Sequence, residues 1–524
     1  MLRSSRFYQA RLSLVLLAVV LLSPQTSAVA QQPTPSPEQQ QLWQRYETQQ
    51  AELEALRAQA QAAHSPLNNA NFETLALDKS EADANKAETK PDAGYEVGSD
   101  LKMSARWDIN NGLLFETPNK DFVAHFGVRT QVDFVGFSES PALKQSANFG
   151  TLEDGAFFRR IRPQWDGTAY DIVEWQLQLQ LEQYNNNVTN LNDFWVGVKQ
   201  LPYVNTFRIG HIRVAQGFEA AQFSPDKLGT FFETTADADA FMQTIGTGFW
   251  LTDSIADQHL TWAAQAYKQD ALNNNTGADF DSGKWGYTGR VTALPFYQDD
   301  GRHMLHLGLS GSYRLAQSTS LGAAPVTDFR ARPEMRDQIG STPLGNSNRL
   351  VDTGNIVSDA NSVVGSELFY ILGPASLQAE YTWAFIEDAV VKNVKYNSLP
   401  FEGGYVQLSY ILTGENRLYD RRLGRLGPTY LSGPYTPFWL VRDENGDCCW
   451  GTGAWEVAGR YSYLNLDDSV VTGGKTEAYT LGVNWYLNVN TYVRFEYLHQ
   501  NVFGGGPNPD GVVDGFGIRT QFFF

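Results

Sequence analysis

The sequence lacks any long apolar run beyond its first thirty residues. No stretch there reaches about 18 apolar residues, the length that a membrane-spanning helix needs. The mean hydropathy of -0.35 also argues against a bundle of membrane helices. If the mature protein enters a membrane, it must therefore do so with β-strands.

Cysteine is scarce, and basic residues are not in excess. Cys448 and Cys449 are adjacent, a spacing that a disulfide bridges only with a distorted peptide, so a disulfide framework and a cysteine-rich metal site are excluded. We interpret them as two small loop residues before a strand; a redox or ligand role is the alternative. The 40 Lys and Arg residues against 58 Asp and Glu residues give a net charge of -18. This balance argues against a nucleic-acid partner, because phosphate-backbone binding needs a basic face.

Motifs for catalysis are also missing. The sequence contains no nucleophile elbow, no phosphate-cradling glycine loop and no histidine-rich metal site. His303 and His306 are three residues apart, which places them on opposite faces of an alternating strand. Carboxylates abound, but nothing singles out a pair for glycoside hydrolysis. We predict no enzyme activity, no catalytic residue, no metal site and no cofactor.

The amino terminus carries the pattern of an exported protein. Three arginines in the first eleven residues precede the apolar run from Leu12 to Leu22 and the small-residue site Ala28-Val29-Ala30. This arrangement predicts a signal peptide over residues 1–30. A retained membrane anchor is the alternative.

Residues 31–104 contain a proline-rich lead-in, a helix and a linker. The apolar or small positions of residues 38–63 follow heptad spacing, so residues 31–63 are predicted to form a lead-in and a short coiled-coil helix. A solvated amphipathic tail is an equally good interpretation. Residues 64–104 are polar and have no period, which predicts a linker.

Beyond Leu101 the hydrophobic period changes to two. Apolar residues from Val173 to Leu181 alternate with Glu and Gln, as in a strand with lipid on one face and water on the other. A soluble sandwich would show the same alternation. The pattern recurs in Phe122 to Phe134, Leu305 to Leu315, Leu377 to Phe385, Val406 to Leu412, Trp455 to Tyr463, Tyr479 to Leu487 and Val493 to Tyr497.

The terminal strand favours the barrel over the sandwich. Its apolar face carries Phe516, Ile518, Phe522 and Phe524, while Arg519 lies on the other face. Aromatic residues also crowd the strand ends, as in the girdles of outer-membrane barrels. A chain that ends on an aromatic residue at the end of such a strand resembles the assembly signal of bacterial outer-membrane barrels.

Several short blocks follow one another along the chain, and each is weak by itself. They are Phe158-Arg159-Arg160 with Gly167-Thr168, Arg208-Ile209-Gly210-His211 with Gly217-Phe218-Glu219, Phe231-Phe232-Glu233 with Ala240-Phe241, Arg330-Ala331-Arg332-Pro333-Glu334, Val351-Asp352-Thr353-Gly354, Gly373 to Tyr381, Gly404-Tyr405-Val406-Gln407, Leu412 to Glu415, Gly453 to Glu456, Arg460 to Tyr463 and Leu481 to Asn488. In this order, from about Gly112 to Phe524, they resemble the phosphate-selective porins of the O and P type.

The resemblance implies a fold, an assembly and a location. The fold class is all-β, a transmembrane antiparallel β-barrel over residues 105–524 with about sixteen strands, eighteen being possible. It is preceded by a short periplasmic coiled-coil helix that holds three chains together as a homotrimer. The location is the bacterial outer membrane with its lipid, and the strand ending at Phe524 is the expected contact with the barrel-assembly machinery.

The resemblance also implies lumen arginines that draw anions through the pore. The polar strand faces carry eight, which are Arg129, Arg162, Arg208, Arg290, Arg314, Arg460, Arg494 and Arg519. The same faces offer acids that could neutralise them, as Glu456 could for Arg460 and Glu496 for Arg494. The acids are Asp133, Asp166, Glu174, Glu182, Glu380, Glu456 and Glu496.

Two basic segments outside the strands are candidates for the same role. Residues 317–362 are too long for a turn, and we interpret them as an outer loop that can fold into the mouth as a constriction, with Arg330 and Arg332 as anion ligands. Packing against the barrel wall or a neighbouring subunit is the alternative. A second cluster contains Arg417, Arg421, Arg422 and Arg425, which could attract anions or lipid phosphates, or form a solvated loop.

The leading functional hypothesis is passive diffusion of small anions, phosphate or polyphosphate among them, through an arginine-lined lumen. A general-diffusion porin without anion preference is one alternative. A structural outer-membrane protein that tethers the envelope through its coiled coil is the other.

Overall fold

The computed structural model shows one antiparallel sheet that closes on itself. The structure describes residues 96–108, 112–146, 148–182, 190–220, 229–269, 285–318, 323–337, 348–432, 437–438, 441–442, 448–449 and 451–524. The predicted signal peptide, the coiled-coil helix and most of the linker lie outside these residues. The side chains of Cys448 and Cys449 lie outside them as well.

Sixteen strands form the barrel, and each pairs with its neighbours in chain order until β16 pairs with β1. The prediction of about sixteen strands is confirmed. The strands are β1 (Phe122–Glu139), β2 (Gly155–Ala169), β3 (Val173–Gln180), β4 (Asn190–Leu201), β5 (Asn205–Arg213), β6 (Ile245–Ile255), β7 (Leu260–Lys268), β8 (Trp285–Gln298), β9 (His303–Leu315), β10 (Ala360–Leu372), β11 (Ala375–Val391), β12 (Val394–Ile411), β13 (Ala454–Asp467), β14 (Thr472–Asn488), β15 (Thr491–Phe503) and β16 (Gly511–Phe523).

The two faces of each strand differ in the way that the alternation predicts. On β16, Arg519 and Gln521 are 0% exposed, whereas Phe516 is 54% exposed and Phe522 is 42% exposed. The exposed face is apolar, as a surface in contact with lipid must be. No helix among the described residues is long and apolar enough to cross a membrane.

Short turns lie at one end of the barrel and long connections lie mainly at the other. β10 and β11 are joined by two residues, as are β14 and β15. In outer-membrane barrels the short turns face the periplasm, so Phe524 lies at the periplasmic end. The only helical elements among the described residues are α1 (Pro141–Lys144), α2 (Ala236–Phe241) and the 3₁₀ turn Asp299–Gly301.

Among the described residues, two connections from the outer end enter the barrel. The connection from β5 to β6 contains α2, and we call its residues 214–220 and 229–244 the lumen segment. The connection from β9 to β10, residues 316–359, is the outer loop; it contains the short strands Gln317–Ser318, Pro325–Thr327, Arg330–Ala331, Val351–Asp352 and Ile356–Val357. An apolar core that includes Phe241, Phe329 and Ile386 joins both to the wall.

One connection enters from the periplasmic end. It links β12 to β13 and contains a hairpin of Asn416–Asp420 and Arg425–Ser432, which we call the periplasmic hairpin. Leu426 and Leu431 belong to an apolar cluster with Phe369 and Tyr486 of the wall. Farther along the connection, Val441–Arg442 pairs with Cys448–Cys449.

A last hairpin lies at the periplasmic rim before β1. Its strands are Ser104–Asp108 and Gly112–Glu116, and we call it the rim hairpin. Its second strand pairs with the first residues of β1. The sheet therefore extends beyond the barrel at this point.

Candidate functional site: an arginine-lined cavity in the lumen

Arginines of the barrel wall hold the lumen segment by its backbone. Four of the eight predicted strand arginines donate hydrogen bonds to backbone carbonyl oxygens of the lumen segment, three of them in the consecutive residues 231–233. The bonds are Arg494 to Phe231 (3.2 Å), Arg519 to Phe232 (2.6 Å), Arg460 to Glu233 (3.1 Å) and Arg314 to Phe241 (2.7 Å). These arginines fix the segment that narrows the lumen.

Phenylalanine rings of the same segment support two of these guanidinium groups. The guanidinium of Arg460 lies 4.7 Å from the ring centroid of Phe231, and that of Arg519 lies 4.4 Å from the ring centroid of Phe232. Cations are attracted to aromatic faces at such distances. Backbone and side chain of each phenylalanine therefore cooperate in the attachment.

Carboxylates of the wall hold the backbone N–H groups of the segment. Glu380 accepts hydrogen bonds from the N–H groups of Phe218 and Glu219, both at 2.7 Å. Glu496 accepts one from Phe232 at 2.7 Å. Buried backbone donors require such partners, so these two acids position the lumen segment.

The lumen segment, the outer loop and the wall line a partly open cavity of about 230 Å³. Its volume is several times that of one water molecule. Among the described residues, six arginines and three carboxylates line it. They are Arg159, Arg160, Arg162, Arg213, Arg332, Arg336, Glu219, Glu233 and Asp239.

Glu233 is the acid at which three of these arginines and Arg519 of the wall meet. It accepts two hydrogen bonds of 2.8 Å from Arg159 and one of 3.0 Å from Arg519. Arg160 and Arg336 lie 3.6 and 3.9 Å away. Burial alone would raise the pKa of Glu233, but the surrounding arginines hold it well below its usual value.

Asp239, on α2, connects the lumen segment to the outer loop. Its carboxylate lies 3.1 Å from Arg332, 3.0 Å from Arg336 and 3.2 Å from Arg349. Burial would raise the pKa of Asp239, and the three arginines lower it instead. Glu219 differs, because burial raises its pKa despite Arg460. The cavity therefore gains positive charge from Glu219 first as the pH falls.

A β-bulge turns two consecutive arginines of β2 into the lumen. Gln131 of β1 pairs with Arg160 and Val132 pairs with Phe158, so Arg159 is an extra residue without a partner in the register. Arg159 and Arg160 are each 8% exposed. Strict alternation would send one of them outward, and for this reason the strand pattern did not identify them as lumen residues.

A comparison with protein families identifies the group to which the chain belongs. Residues 125–524 match the family model described as phosphate-selective porin O and P. The chain belongs to this porin family. The fold and the family are those of a channel in the bacterial outer membrane, and the predicted resemblance is confirmed.

Individual proteins similar to this porin can also be named. It is 27% identical to Porin O of Pseudomonas aeruginosa over 464 residues, which cover 82% of this chain and 93% of that protein. The trimer form of OmpT from Vibrio cholerae has a TM-score of 0.44 at 12% identity, covering 77% of this chain and 99% of the other. An anion-selective porin from Comamonas acidovorans has a TM-score of 0.43 at 10% identity, covering 77% and 100%.

The ten arginines predicted for the pore occupy different positions in this porin. Arg162 and Arg332 line the cavity, and Arg129 is buried opposite Arg162 in the register of β1 and β2. Arg330 pairs with Asp328 at 3.0 Å and its side chain remains 50% exposed. The lumen segment is held by Arg314, Arg460, Arg494 and Arg519. Arg208 and Arg290 lie nearer the periplasmic end of the barrel.

Arg208 and Arg290 lie beside the periplasmic hairpin. Arg290 pairs with Glu367 at 2.7 Å and donates a hydrogen bond of 2.8 Å to the carbonyl oxygen of Gly424 in the hairpin. Arg208 pairs with Glu174 at 2.5 Å, and its guanidinium lies 4.2 and 4.3 Å from the ring centroids of Trp195 and Trp250. Both arginines are thus fixed by acids, as the charge-balance interpretation requires.

The ion pairs themselves differ from those that strand spacing suggested. Arg460 contacts Glu334 of the outer loop at 2.7 Å and Glu219 of the lumen segment at 3.4 Å, and the expected pairing with Glu456 is wrong. Glu456 instead pairs with Arg417 of the periplasmic hairpin. The partners lie far apart in sequence, so spacing within one strand could not identify them.

The outer loop and the second basic cluster both enter the lumen in part. Glu334 and Arg332 contact the wall and the lumen segment, so part of the outer loop narrows the pore while its short strands extend the wall. In the basic cluster, Arg421 lies 3.7 Å from Asp257 and Arg425 lies 3.8 Å from Asp420. These arginines belong to the periplasmic connection and not to a loop at the outer surface.

Proposed function

We propose that this porin passes small anions, inorganic phosphate and polyphosphate among them, by passive diffusion through the arginine-lined cavity. One observation carries the proposal. Six guanidinium groups and three carboxylates from the described residues face a single cavity of about 230 Å³. When all are ionised, the cavity has an excess of three positive charges.

The chemistry of the cavity suits an oxyanion. Arginine stays charged at any relevant pH, and its planar fork can meet two phosphate oxygens with two hydrogen bonds. Glu233 and Asp239 hold the arginines in place and compete with the passing anion for the same N–H groups. Conduction needs binding that is weak enough for release, and this competition supplies it.

Reversal potentials in asymmetric KCl, measured in planar bilayers, are expected to show anion preference. Phosphate should block the chloride current, and Arg160→Gln should weaken that block by about tenfold or more, since a hydrogen bond to a charged group contributes roughly 1.5–3 kcal/mol. Arg330→Gln is the matched control, because this side chain is half exposed and lies outside the cavity lining.

Three results would contradict the proposal. A preference for cations would contradict the proposed anion selectivity. The absence of any ion preference would identify a general-diffusion porin. A phosphate block that is equally weakened by both substitutions would show that charge in the outer mouth matters and that the cavity does not select.

We also propose that the porin is a homotrimer held together by residues 38–63. The heptad spacing of that segment supports the proposal. Deleting residues 38–63 is expected to lower the trimer fraction in native mass spectrometry while single-channel conductance per barrel stays the same. Unchanged trimer content would assign the assembly to the barrel walls, and loss of envelope attachment in cells would support the tethering alternative.

A further inference from the structure

The rim hairpin continues the barrel sheet where the closing strand ends. β16 pairs with β1 as far as Phe523 opposite Arg129, and two backbone hydrogen bonds of 3.1 Å then join Phe524 to Val128. Below that point, Leu113–Glu116 of the hairpin pairs with Val123–Phe126 of β1. The hairpin therefore covers an edge of β1 that would otherwise lack a partner at the seam of the barrel.

Close contacts attach the hairpin to the last residue of the chain. The ring of Trp107 lies 5.0 Å from the ring of Phe524, centroid to centroid. Gly112 has a φ of +75°, and a Cβ at this position would lie 2.6 Å from the carbonyl carbon of Phe524. A side chain at residue 112 would thus push the hairpin away from the rim.

One face of the rim hairpin is apolar and continues the outer surface of the barrel. Across the hairpin, Trp107 lies opposite Leu113. Leu113 lies opposite Phe126 of β1, and Phe126 lies opposite Trp165 of β2. The ring centroids of Phe126 and Trp165 are 5.0 Å apart. All four side chains share the face on which the outward residues of β1 and β2 meet lipid.

The opposite face of the hairpin is charged. Arg106 contacts Asp108 at 3.1 Å and Glu116 at 3.0 Å, and its side chain is 51% exposed. The hairpin is thus amphipathic across its thickness. Its polar groups lie on the side opposite to Trp107 and Leu113, as they must if the apolar face is to approach a membrane.

Exposed apolar side chains accompany Trp107 in the residues before the hairpin. Trp107 is 60% exposed, Leu101 65% and Met103 50%. The preceding backbone is tied to the rim by a hydrogen bond of 2.7 Å from the N–H of Gly98 to Asp121. These side chains are held at the periplasmic end of the lipid-facing wall.

We propose that the rim hairpin is a membrane-interface element whose apolar face lies in the periplasmic leaflet of the outer membrane. Trp107 sits at the level of the lipid headgroups, where tryptophan is enriched in membrane proteins. Its contact with Phe524 makes the hairpin a cover for the closing seam. Continuity with the aromatic surface of the wall identifies lipid as the occupant of this face.

Fluorescence quenching in lipid vesicles tests the proposal. The contribution of Trp107 is obtained by subtracting the spectrum of Trp107→Phe from that of the unmodified porin. We expect this contribution to be quenched by phospholipid brominated near the glycerol end of its chains and little affected by acrylamide in the water. The control is the fluorescence of Trp383, obtained by subtracting the spectrum of Trp383→Phe. This residue is 41% exposed on β11, in the wall that faces lipid.

Other quenching patterns would overturn the proposal. Quenching by acrylamide without quenching by brominated lipid would place the hairpin in water. Resistance to both would show that protein, such as a second copy of the chain, covers Trp107. Gly112→Val retains the Trp107 fluorophore but should displace the hairpin that carries it, so lipid quenching should turn into acrylamide quenching. If lipid quenching persists, the contact with Phe524 does not position the hairpin.

Discussion

Replacing Glu233 by glutamine is expected to tighten the block of chloride current by inorganic phosphate. The carboxylate lies within 4.0 Å of Arg159, Arg160, Arg336 and Arg519, and glutamine removes its charge while keeping a similar shape. An anion about 8 Å away loses a repulsion of roughly 2 kcal/mol at an effective dielectric constant of about 20. The phosphate concentration for half-block should fall by about thirtyfold, since every 1.4 kcal/mol is about tenfold.

The same substitution is expected to cost stability. The arginines around residue 233 lose the carboxylate with which they form ion pairs. Removing one partner of a buried ion pair typically destabilises a protein by about 3–5 kcal/mol. The urea midpoint of unfolding should therefore fall although phosphate binds more tightly. Added phosphate should restore part of the loss, because a ligand that binds only the native state stabilises it.

Asp328→Asn is the matched control for Glu233→Gln. It removes one negative charge beside the half-exposed Arg330, away from the cavity lining. In this variant we expect little change in the phosphate concentration that blocks half of the chloride current, since exposed ion pairs contribute roughly 0–1 kcal/mol. Equal tightening by both substitutions would mean that net charge, and not the cavity, sets the affinity.

Replacing Arg519 by leucine is expected to widen the pore. Arg519 is 0% exposed and holds Asp133 at 2.6 Å, Glu233 at 3.0 Å and the carbonyl oxygen of Phe232 at 2.6 Å. Without Arg519, the lumen segment loses the middle one of its three attachments at residues 231–233. Asp133 also remains buried without its partner. Single-channel chloride conductance should rise, and phosphate block should weaken.

The direction of the conductance change separates two roles for Arg519. If the arginine were a direct ligand for passing anions, as the strand pattern predicted, its loss would lower chloride conductance. An increase identifies it as a positioning residue. Arg106→Leu, which removes a half-exposed arginine of the rim hairpin, is the control and should leave conductance unchanged.

The strands were accessible from the sequence because their signal is local. On β16, the alternation of Phe516 and Ile518 with Arg519 follows directly from the two-residue period of a strand between lipid and lumen. The same rule placed Glu174 and Glu496 correctly on the inner face, where both are buried. No long-range information was needed.

The roles of the lumen side chains were not accessible in this way. Arg159 faces inward because of a bulge, which depends on the pairing of two strands. Glu496 holds the backbone of Phe232, a residue 264 positions away. The ordered block Phe231-Phe232-Glu233 was visible in the sequence, but its attachment to three arginines of β13, β15 and β16 was not.

By itself, the sequence determined the barrel, its lipid face and the abundance of arginine on its polar face, because each depends on a period of two residues or on composition. Only the tertiary structure decided which arginines surround the cavity and which hold the lumen segment. The physical reason is that buried charges and buried backbone groups must find partners wherever the closed barrel brings them within hydrogen-bonding distance. Those distances are set by the three inserted segments, and no local pattern encodes them.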